Sequence, residues 1–253
     1  MKITLLGTGT SQGVPVIGCK CEVCESTNSK DARLRTSALV SVDNKNILID
    51  VGPDFRQQML LSGTTDINAI LITHEHRDHI GGLDDIRSIN YIHNKAVDLY
   101  AEARVIDYLK ETFAYAFAEK KYPGSPDINL KTIDNKPFKI ESTEITPIRG
   151  LHFKLPVLGY KIGDFAYLTD FNFISEKEIK KLKGVKHLVI NALRIEKHIS
   201  HYCLNETLEV IKKIKPEKAY LTHISHQIGK NDEVQENLPP NVIMGFDGLV
   251  ITI

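Results

Sequence analysis

The sequence predicts a layered domain of β-strands and α-helices, of the α/β or α+β class. Short apolar, β-branched runs recur along the 253 residues, and most end near Gly, Asp, Asn or Thr, as strands do. Strands come first and then alternate with helical patterns, which is typical of sheets covered by helices. The length suits one large domain or two small ones. Because no linker rich in Pro, Gly or Ser divides the chain, we expect a single domain over residues 1–253.

Each predicted element follows from a local pattern. Val105, Leu109, Phe113 and Phe117 recur four residues apart, which predicts an amphipathic helix. Two further segments have a narrow apolar stripe and predict exposed helices, at residues 176–183 and 205–214. Residues 120–137 contain the longest loop-like stretch. The strand pattern occurs in nine runs, at residues 3–6, 37–42, 46–51, 69–73, 97–101, 165–169, 187–191, 218–222 and 249–253.

Charge and hydropathy exclude several classes of protein. Lysine and arginine together number 32, as do aspartate and glutamate, and this balance argues against a broad nucleic-acid or anionic-membrane surface. The sequence contains no apolar run long enough for a membrane span. The stretch GTGTSQGVP before Cys19 is too polar for the core of a signal peptide. We therefore expect a cytoplasmic protein, in which thiols stay reduced and clustered cysteines favour metal.

The segment THEHRDHIGG carries four metal-ligand side chains within six residues: His74, His76, Asp78 and His79. Side chains alternate along an extended backbone, so His74 and His76 can point the same way. A turn after His76 would bring Asp78 and His79 to a second position. The alternative is a polar surface loop with chance histidines. The spacing, directly after an apolar strand, favours a metal site.

Other polar residues also follow predicted strands. Asp170, Asn191 and His223 each stand at or just after the end of one, and Arg194 follows shortly after Asn191. Strand ends can converge on one edge of a sheet, where the sites of α/β proteins lie. We therefore expect these residues to gather near the histidine segment.

The segment HxHxDH after an apolar strand resembles the signature of the metallo-β-lactamase superfamily. The resemblance extends to NILIDVG with Asp50, to Leu151-His152, to YLTD ending at Asp170 and to LTH ending at His223. It implies a four-layer αββα sandwich with two divalent metals, Zn²⁺ or Mn²⁺, at one edge. The implied ligands are His74, His76 and His152 for one metal and Asp78, His79 and His223 for the other, with Asp170 between them. Asp78 is also expected to act in catalysis, and Asp50 to orient a ligand histidine.

Three cysteines, Cys19, Cys21 and Cys24, lie within VIGCKCEVC, and only Cys203 occurs elsewhere. They could bind a metal, form a disulfide or remain free thiols. His226, three residues after His223, is a candidate fourth ligand. The cysteine loop, LTHISHQ and GFDG (residues 245–248) resemble the branch of the superfamily that cleaves phosphoribosyl 1,2-cyclic phosphate in the carbon–phosphorus lyase pathway. That resemblance implies a closed structural zinc site with His226 as the fourth ligand.

The same branch implies roles for residues of the 191–206 segment. His201 would lie beside the metals and would contact phosphate or protonate the leaving oxygen. Arg194 could pair with a phosphate through its planar guanidinium, and solvent exposure is the alternative for this side chain. The sequence departs from the phosphoribosyl enzyme between Asn191 and His201 and between Gly82 and Pro137. We expect these regions to shape the pocket for a small phosphodiester substrate.

Three other functions remain open at this point. One is hydrolysis of a lactone, thioester or β-lactam by the same fold, since HxHxDH serves carbonyl carbon too. Another is tRNA 3′-processing, which would require a basic arm that this neutral chain lacks. The third is a redox or regulatory metal protein, although redox diiron relatives carry glutamate where His76 stands. A homodimer would follow only from family similarity.

Overall fold

The computed structural model describes residues 1–253. Fifteen strands form, most of them where apolar and β-branched residues are concentrated. Their bounds are β1 Lys2–Gly7, β2 Ser37–Val42, β3 Lys45–Ile49, β4 Ala69–Leu71, β5 Val97–Glu102, β6 Ile128–Ile133, β7 Phe138–Ile140, β8 Thr143–His152, β9 Leu155–Ile162, β10 Phe165–Leu168, β11 Phe173–Ile174, β12 His187–Asn191, β13 Lys218–Thr222, β14 Val242–Met244 and β15 Val250–Thr252.

The helices are short and lie on the outer faces of the two sheets. They are α1 Phe55–Ser62, α2 Arg77–Ile80, α3 Ile86–His93, α4 Ala103–Thr112, α5 Ala114–Phe117, α6 Glu176–Lys181, α7 Leu204–Ile214 and α8 Asn231–Glu236, with 3-10 turns at Leu83–Asp85 and His226–Ile228. None of the helices combines the length and apolar character that crossing a membrane requires.

The strands form two mixed sheets with related plans. The first has the order β15-β1-β2-β3-β4-β5-β6, and the second has the order β11-β8-β9-β10-β12-β13-β14, with β7 paired to β8. Each sheet begins with antiparallel pairs and continues with parallel ones: β3 to β6 in the first, and β10 to β14 in the second. The carboxyl ends of these parallel strands are where loops can gather side chains into a site.

Three apolar cores define the layers. The central core packs the facing sides of the two sheets and includes Leu71 from the first and Tyr167 from the second. A second core lies between the first sheet and helices α1, α3 and α4, and a third between the second sheet and α6 and α7. The order of layers is therefore helix, sheet, sheet, helix. This confirms the predicted αββα sandwich.

The predicted strands all occur, but helix and loop predictions needed correction. The predicted helix ending at Phe117 is interrupted at Phe113, whose φ of −113° and ψ of 41° are not helical, so α4 and α5 are separate. The expected loop 120–137 contains strand β6, which pairs in parallel with β5. Sequence periodicity also missed α1 and α3. The apolar residues that face the core in α1 are too few to give a clear helical pattern.

Candidate metal centres

The HxHxDH segment is folded by close backbone contacts. The expected turn after His76 is a single helical turn, α2, that begins at Arg77. Val51 N donates to the carbonyl oxygen of His79 at 2.8 Å. A Cβ on Gly52 would lie 2.1 Å from the carbonyl oxygen of Asp78, so no larger residue fits there unless the backbone moves. The neighbouring loop therefore fixes where the Asp78 and His79 side chains point.

The first cluster consists of three histidines, His74, His76 and His152. One ring nitrogen of each lies within 4.8 Å of the others, and Nε2 of His74 is 3.0 Å from Nδ1 of His76. Burial lowers the pKa of His74 well below its ordinary value and also lowers the pKa of His152. Neutral imidazoles are the form that binds a metal. Because Nδ1 of His152 donates to the carbonyl oxygen of Ser200 at 2.8 Å, Nε2 is left free to face the cluster.

The second cluster contains Asp78, His79, Asp170 and His223, with ligand atoms within 4.8 Å of one another. Nε2 of His79 lies 3.1 Å from Asp78 Oδ2 and 3.2 Å from Asp170 Oδ2. This nitrogen is buried, yet it makes no hydrogen bond. Since buried polar atoms are normally satisfied, a nitrogen aimed between two carboxylates without a bond fits a divalent cation. The donor set, imidazole and carboxylate, suits zinc or manganese.

Electrostatics in the second cluster also favour a cation. Burial alone would lower the pKa of His79, but Asp78, Asp170 and Asp50 together raise it well above its ordinary value. Burial lowers the pKa of His223 to about 3. Burial would raise the pKa of Asp170, but His223 and His79 hold it well below the usual range. The imidazoles of the cluster thus keep its buried carboxylates charged, and such carboxylates attract a cation.

Asp50, which the family resemblance suggested as an orienting residue, contacts this cluster without belonging to it. Its Oδ2 accepts a 2.7 Å hydrogen bond from Nδ1 of His79. Its two oxygens also accept from the backbone N and the hydroxyl of Thr73, at 2.8 and 2.9 Å. A histidine whose Nδ1 carries the donated proton presents Nε2 as the metal-binding atom. Asp50 therefore directs the His79 ring toward Asp78 and Asp170.

Three residues of the site have left-handed backbone conformations, one or two residues after the end of a strand. The φ angles are 63° at Asp50, 62° at Asp170 and 52° at His223. Such angles are uncommon outside glycine and cluster at functional sites. Asn191, which the sequence placed at this edge, supports one of them. It accepts a hydrogen bond from Phe171 N and donates one to Phe171 O, at 2.9 and 3.0 Å.

His201 lies at the rim of the second cluster, and its side chain is mostly buried. Its Nε2 is 3.0 Å from Asp170 Oδ1. Its Nδ1 lies 3.0 Å from the Ser200 hydroxyl and 3.1 Å from Nδ1 of His198. The structure thus brings His201 to the histidine and aspartate residues, where the sequence placed it. His198 and Ser200 were not predicted as partners, because only the folded loop brings their side chains together.

Two ion pairs that the sequence did not reveal lie around the start of α4, and one of them contacts the HxH segment. Arg104, at the start of α4, pairs with Glu75 and also donates to the carbonyl oxygen of Pro156. Arg149, on β8 of the other sheet, donates to Glu102 at 2.7 Å. These contacts cross between the two sheets beside the first cluster. Only the tertiary fold pairs residues so far apart in the chain.

The cysteine loop contacts the segment after β13, and this contact forms a further candidate metal site, separate from the histidine and aspartate clusters. Nδ1 of His226 lies 3.3 Å from the Sγ atoms of Cys19 and Cys21 and 3.6 Å from that of Cys24. All four cysteines of the chain are free of disulfides, which rules out the disulfide alternative in this structure. A hydrogen bond from the backbone N of Cys24 is the largest of the effects that lower the pKa of Cys21 to about 6. Three thiols around one imidazole can hold a tetrahedral metal with no open position.

Arg194, predicted to bind substrate, lies half-buried at the start of the loop after β12. Its guanidinium donates to the carbonyl oxygens of Glu196 and Lys197 and to the side-chain oxygen of Gln227, at 3.2, 2.9 and 3.0 Å. The charge therefore already has partners within the chain. Cys203 is buried and caps the start of α7.

Comparisons with known proteins agree with this geometry. A family model described as a β-lactamase superfamily domain matches residues 45–224. A crystal structure of a diphosphatase from the PhnP family superposes with a TM-score of 0.93 at 37% identity, covering 99% of this chain and 96% of that chain. The octanoyltransferase of Porphyromonas gingivalis (strain ATCC BAA-308 / W83) is 44% identical over 252 residues, which are 98% of this chain and 51% of the relative.

A ribonuclease Z of Nanoarchaeum equitans (strain Kin4-M) is 28% identical over 176 residues, covering 65% of this chain and 54% of the relative. The chain thus spans about half the length of the curated relatives that it matches, 51% and 54% of these two. The family model covers most of the chain, and the matched residues include the HxHxDH segment and His223. The chain belongs to the metallo-β-lactamase superfamily of metal-dependent hydrolases and resembles the PhnP family within it.

Proposed function

We propose that the chain hydrolyses a small phosphate ester, a cyclic phosphodiester of the phosphoribosyl type, at a site with two divalent metals. The observation that carries this proposal is the pairing of two adjacent ligand clusters with His201 at their rim. A third cluster of three cysteines and one histidine accompanies them. The same combination underlies the resemblance to the cyclic phosphodiesterase branch.

In this proposal His74, His76 and His152 hold one metal, and Asp78, His79 and His223 hold the other, with Asp170 between them. The donor atoms of each set lie close enough together to share an ion. When bound, two such metals lower the pKa of water and neutralise charge that develops on a phosphoryl group. Zinc and manganese both suit imidazole and carboxylate donors. The cysteine cluster with His226 would hold a structural zinc.

The chain's own residues would supply the proton transfers. Water attacks phosphorus and gives up one proton to solvent, the bond from phosphorus to the leaving oxygen breaks, and His201 donates its Nε2 proton to that oxygen and regains one from solvent. His198 and Ser200 hold the opposite nitrogen of the same ring. Asp78, whose carboxylate the neighbouring His79 keeps charged, would accept a hydrogen bond from the attacking water and so orient it.

A second candidate, hydrolysis of a diphosphate, is favoured by the 37% identical neighbour, which is described as a diphosphatase. It shares the attack of water on phosphorus and differs in the bond that breaks. Phosphorus NMR distinguishes the two reactions directly. Protein loaded with zinc or manganese should be incubated with 5-phosphoribosyl 1,2-cyclic phosphate and, separately, with a nucleoside diphosphate sugar.

Opening of the cyclic ester to a ribose bisphosphate, lost in Asp170→Ala, is the expected result. Cleavage of the diphosphate alone would move the substrate to the second candidate. Turnover of neither compound would contradict hydrolysis at phosphorus on substrates of this size. An octanoyl thioester should be tested in parallel, because one relative is an octanoyltransferase. Release of octanoate without phosphate chemistry would favour the thioester alternative, and gel shift at low salt tests for RNA binding.

A further inference from the structure

The loop between β12 and α7, which we call the 193–204 loop, carries the groups that face both metal clusters. Two backbone hydrogen bonds join its ends: Leu193 N donates to Tyr202 O at 3.0 Å, and Leu204 N donates to Arg194 O at 2.9 Å. Between these ends the loop presents the Ser200 carbonyl oxygen to His152 and the ring of His201 to Asp170. Any shift of this loop therefore moves two groups of the proposed site at once.

The Arg194 guanidinium organises the outer half of the loop. It donates to the carbonyl oxygens of Glu196 and Lys197, which lie just before His198. Loop carbonyls without a strand or helix partner must find such donors. A planar guanidinium with fixed donor directions can satisfy two of them together, and an ammonium group lacks this geometry.

The same guanidinium fastens the loop to the rest of the molecule. Its Nη1 donates to Oε1 of Gln227 at 3.0 Å. Gln227 directly follows His226, whose ring faces the three cysteines. The backbone adds one more bond, from Ser225 N to Leu193 O at 2.9 Å. The segment that joins the cysteine cluster to β13 is thus the support on which the 193–204 loop rests.

We infer that Arg194 is a positioning residue: through Gln227 it holds the 193–204 loop, and with it the Ser200 carbonyl and the His201 ring, against the metal clusters. This differs from the predicted role of Arg194 in binding substrate phosphate. The kinetic part of the inference rests on the proposed hydrolysis at phosphorus. The structural part, the fixation of the loop by the Arg194–Gln227 contact, does not depend on it.

The test compares Gln227→Leu with the matched variant Gln227→Glu. Leucine removes the acceptor, whereas glutamate keeps an oxygen for Arg194 and adds charge. With ribose 1,2-cyclic phosphate, which has an alkoxide leaving group and no second phosphate for an arginine to bind, Gln227→Leu should lower kcat about fivefold to tenfold, with KM nearly unchanged, because a misplaced catalytic group slows the chemical step. Gln227→Glu should keep the wild-type kcat.

Arg194→Ala and Arg194→Lys should both reproduce the kcat loss, and Arg194→Ala combined with Gln227→Leu should be no slower than either alone. Amide hydrogen exchange of residues 193–204 should be faster in Gln227→Leu and unchanged in Gln227→Glu, whatever the substrate. Zinc content should be equal in all variants.

The inference is overturned if amide exchange of residues 193–204 is unaltered in Gln227→Leu. It is also overturned by the following pair of results with a substrate that carries a second phosphate. Arg194→Ala raises KM without lowering kcat, and Gln227→Leu is as active as wild type. If no protein hydrolyses the probe but exchange still differs, the proposed function fails and the loop assignment survives.

Discussion

The two kinds of metal cluster in this molecule are built in different ways. The histidine and aspartate side chains extend from the carboxyl ends of strands in two packed sheets, and most of them are buried. The three cysteines lie on a loop between β1 and β2, are only half-buried, and meet His226 from a distant part of the chain. The first group is positioned by the core before any ion binds. The second has little apolar packing of its own, so an ion bound there would contribute to holding the loop.

Because the two kinds of cluster are built differently, we expect different consequences when each one loses its ion. If the histidine and aspartate clusters lose their metals, the fold should stay intact and activity should be lost. A cluster that ties a loop to the sheet should lose local stability first, and activity only as a consequence. The variants below change one group at a time.

The largest effect should come from Asp170→Asn. The substitution keeps the size of the side chain but removes the charge that faces His79, His201 and His223. We expect kcat/KM to fall by about 10³-fold or more, with little change in melting temperature. Steady-state kinetics and calorimetry measure the two quantities. Asp164→Asn, at an exposed carboxylate paired with Lys186, is the matched control and should stay active. Wild-type activity in Asp170→Asn would remove this carboxylate from the site.

His201→Ala should have the next largest effect on rate. Loss of the imidazole that protonates the leaving oxygen should lower turnover by about 10²–10⁴-fold. Metal content by mass spectrometry should be unchanged, because His201 is in neither of the two ligand sets proposed for the active-site metals, although its ring lies close to His152 and Asp170. A substrate with a good leaving group, such as p-nitrophenolate, needs less protonation, and the defect should shrink with it. An equal defect for good and poor leaving groups would contradict the proton-donor role.

His226→Ala tests the role of the cysteine cluster in stability. The variant should bind one zinc fewer and should lose about 3 kcal/mol of stability, as for a lost cross-link, which corresponds to about 6–12 °C in melting temperature. Calorimetry and metal analysis check both values. His93→Ala, at a histidine outside every metal cluster, should change neither. Unchanged zinc content in His226→Ala would refute the fourth-ligand assignment.

The smallest effect concerns Asp247, in the loop between β14 and β15. Its carboxylate accepts hydrogen bonds from Thr8 N, Thr8 Oγ1 and Leu34 N. Thr8 lies close in the chain to Thr10, whose hydroxyl contacts the ring of His223. Burial raises the pKa of Asp247 from 3.8 to about 6, against the opposing effect of those hydrogen bonds and of Arg33.

A carboxyl group with a raised pKa in the folded state binds its proton more tightly there than in the unfolded chain. Its contribution to stability therefore decreases as pH rises from about 4 to about 6, by at most about 3 kcal/mol. Asp247→Asn removes this titration. Urea unfolding at several pH values in that range should show a flatter pH dependence for the variant. Identical slopes for the two proteins would show that Asp247 titrates normally.

The sequence was informative where function depends on local spacing. HxHxDH, the aspartate after β10 and the histidine after β13 could be found because each follows an apolar strand, and parallel strands end at a common edge. The sandwich followed from the same strand pattern together with the family resemblance. Asp50 was expected as an orienting residue through the family resemblance, which matches it to the aspartate that ends the NILIDVG strand.

Other features depend on contacts that no local pattern records. The left-handed angles at Asp50, Asp170 and His223 arise from tertiary packing, since none of these residues is glycine. The long β8–β9 hairpin, which carries His152, has polar and apolar residues mixed on both faces and gave no strand signal. The partners of Arg194 and Arg104 are distant in the chain or are backbone carbonyls. Spacing could propose a phosphate ligand for Arg194, but only the folded loop provides its actual neighbours.

Stepwise removal of metal from the loaded protein most directly tests the contrast between the two kinds of cluster. A chelator should be added in increments while bound metal, hydrolysis of bis(p-nitrophenyl) phosphate and melting temperature are measured on the same samples. We predict that activity is lost with one set of ions at nearly constant melting temperature, and that the melting temperature falls with the release of a separate ion, which is absent from His226→Ala. Simultaneous loss of activity and stability with every ion released would contradict the assignment of separate catalytic and structural centres.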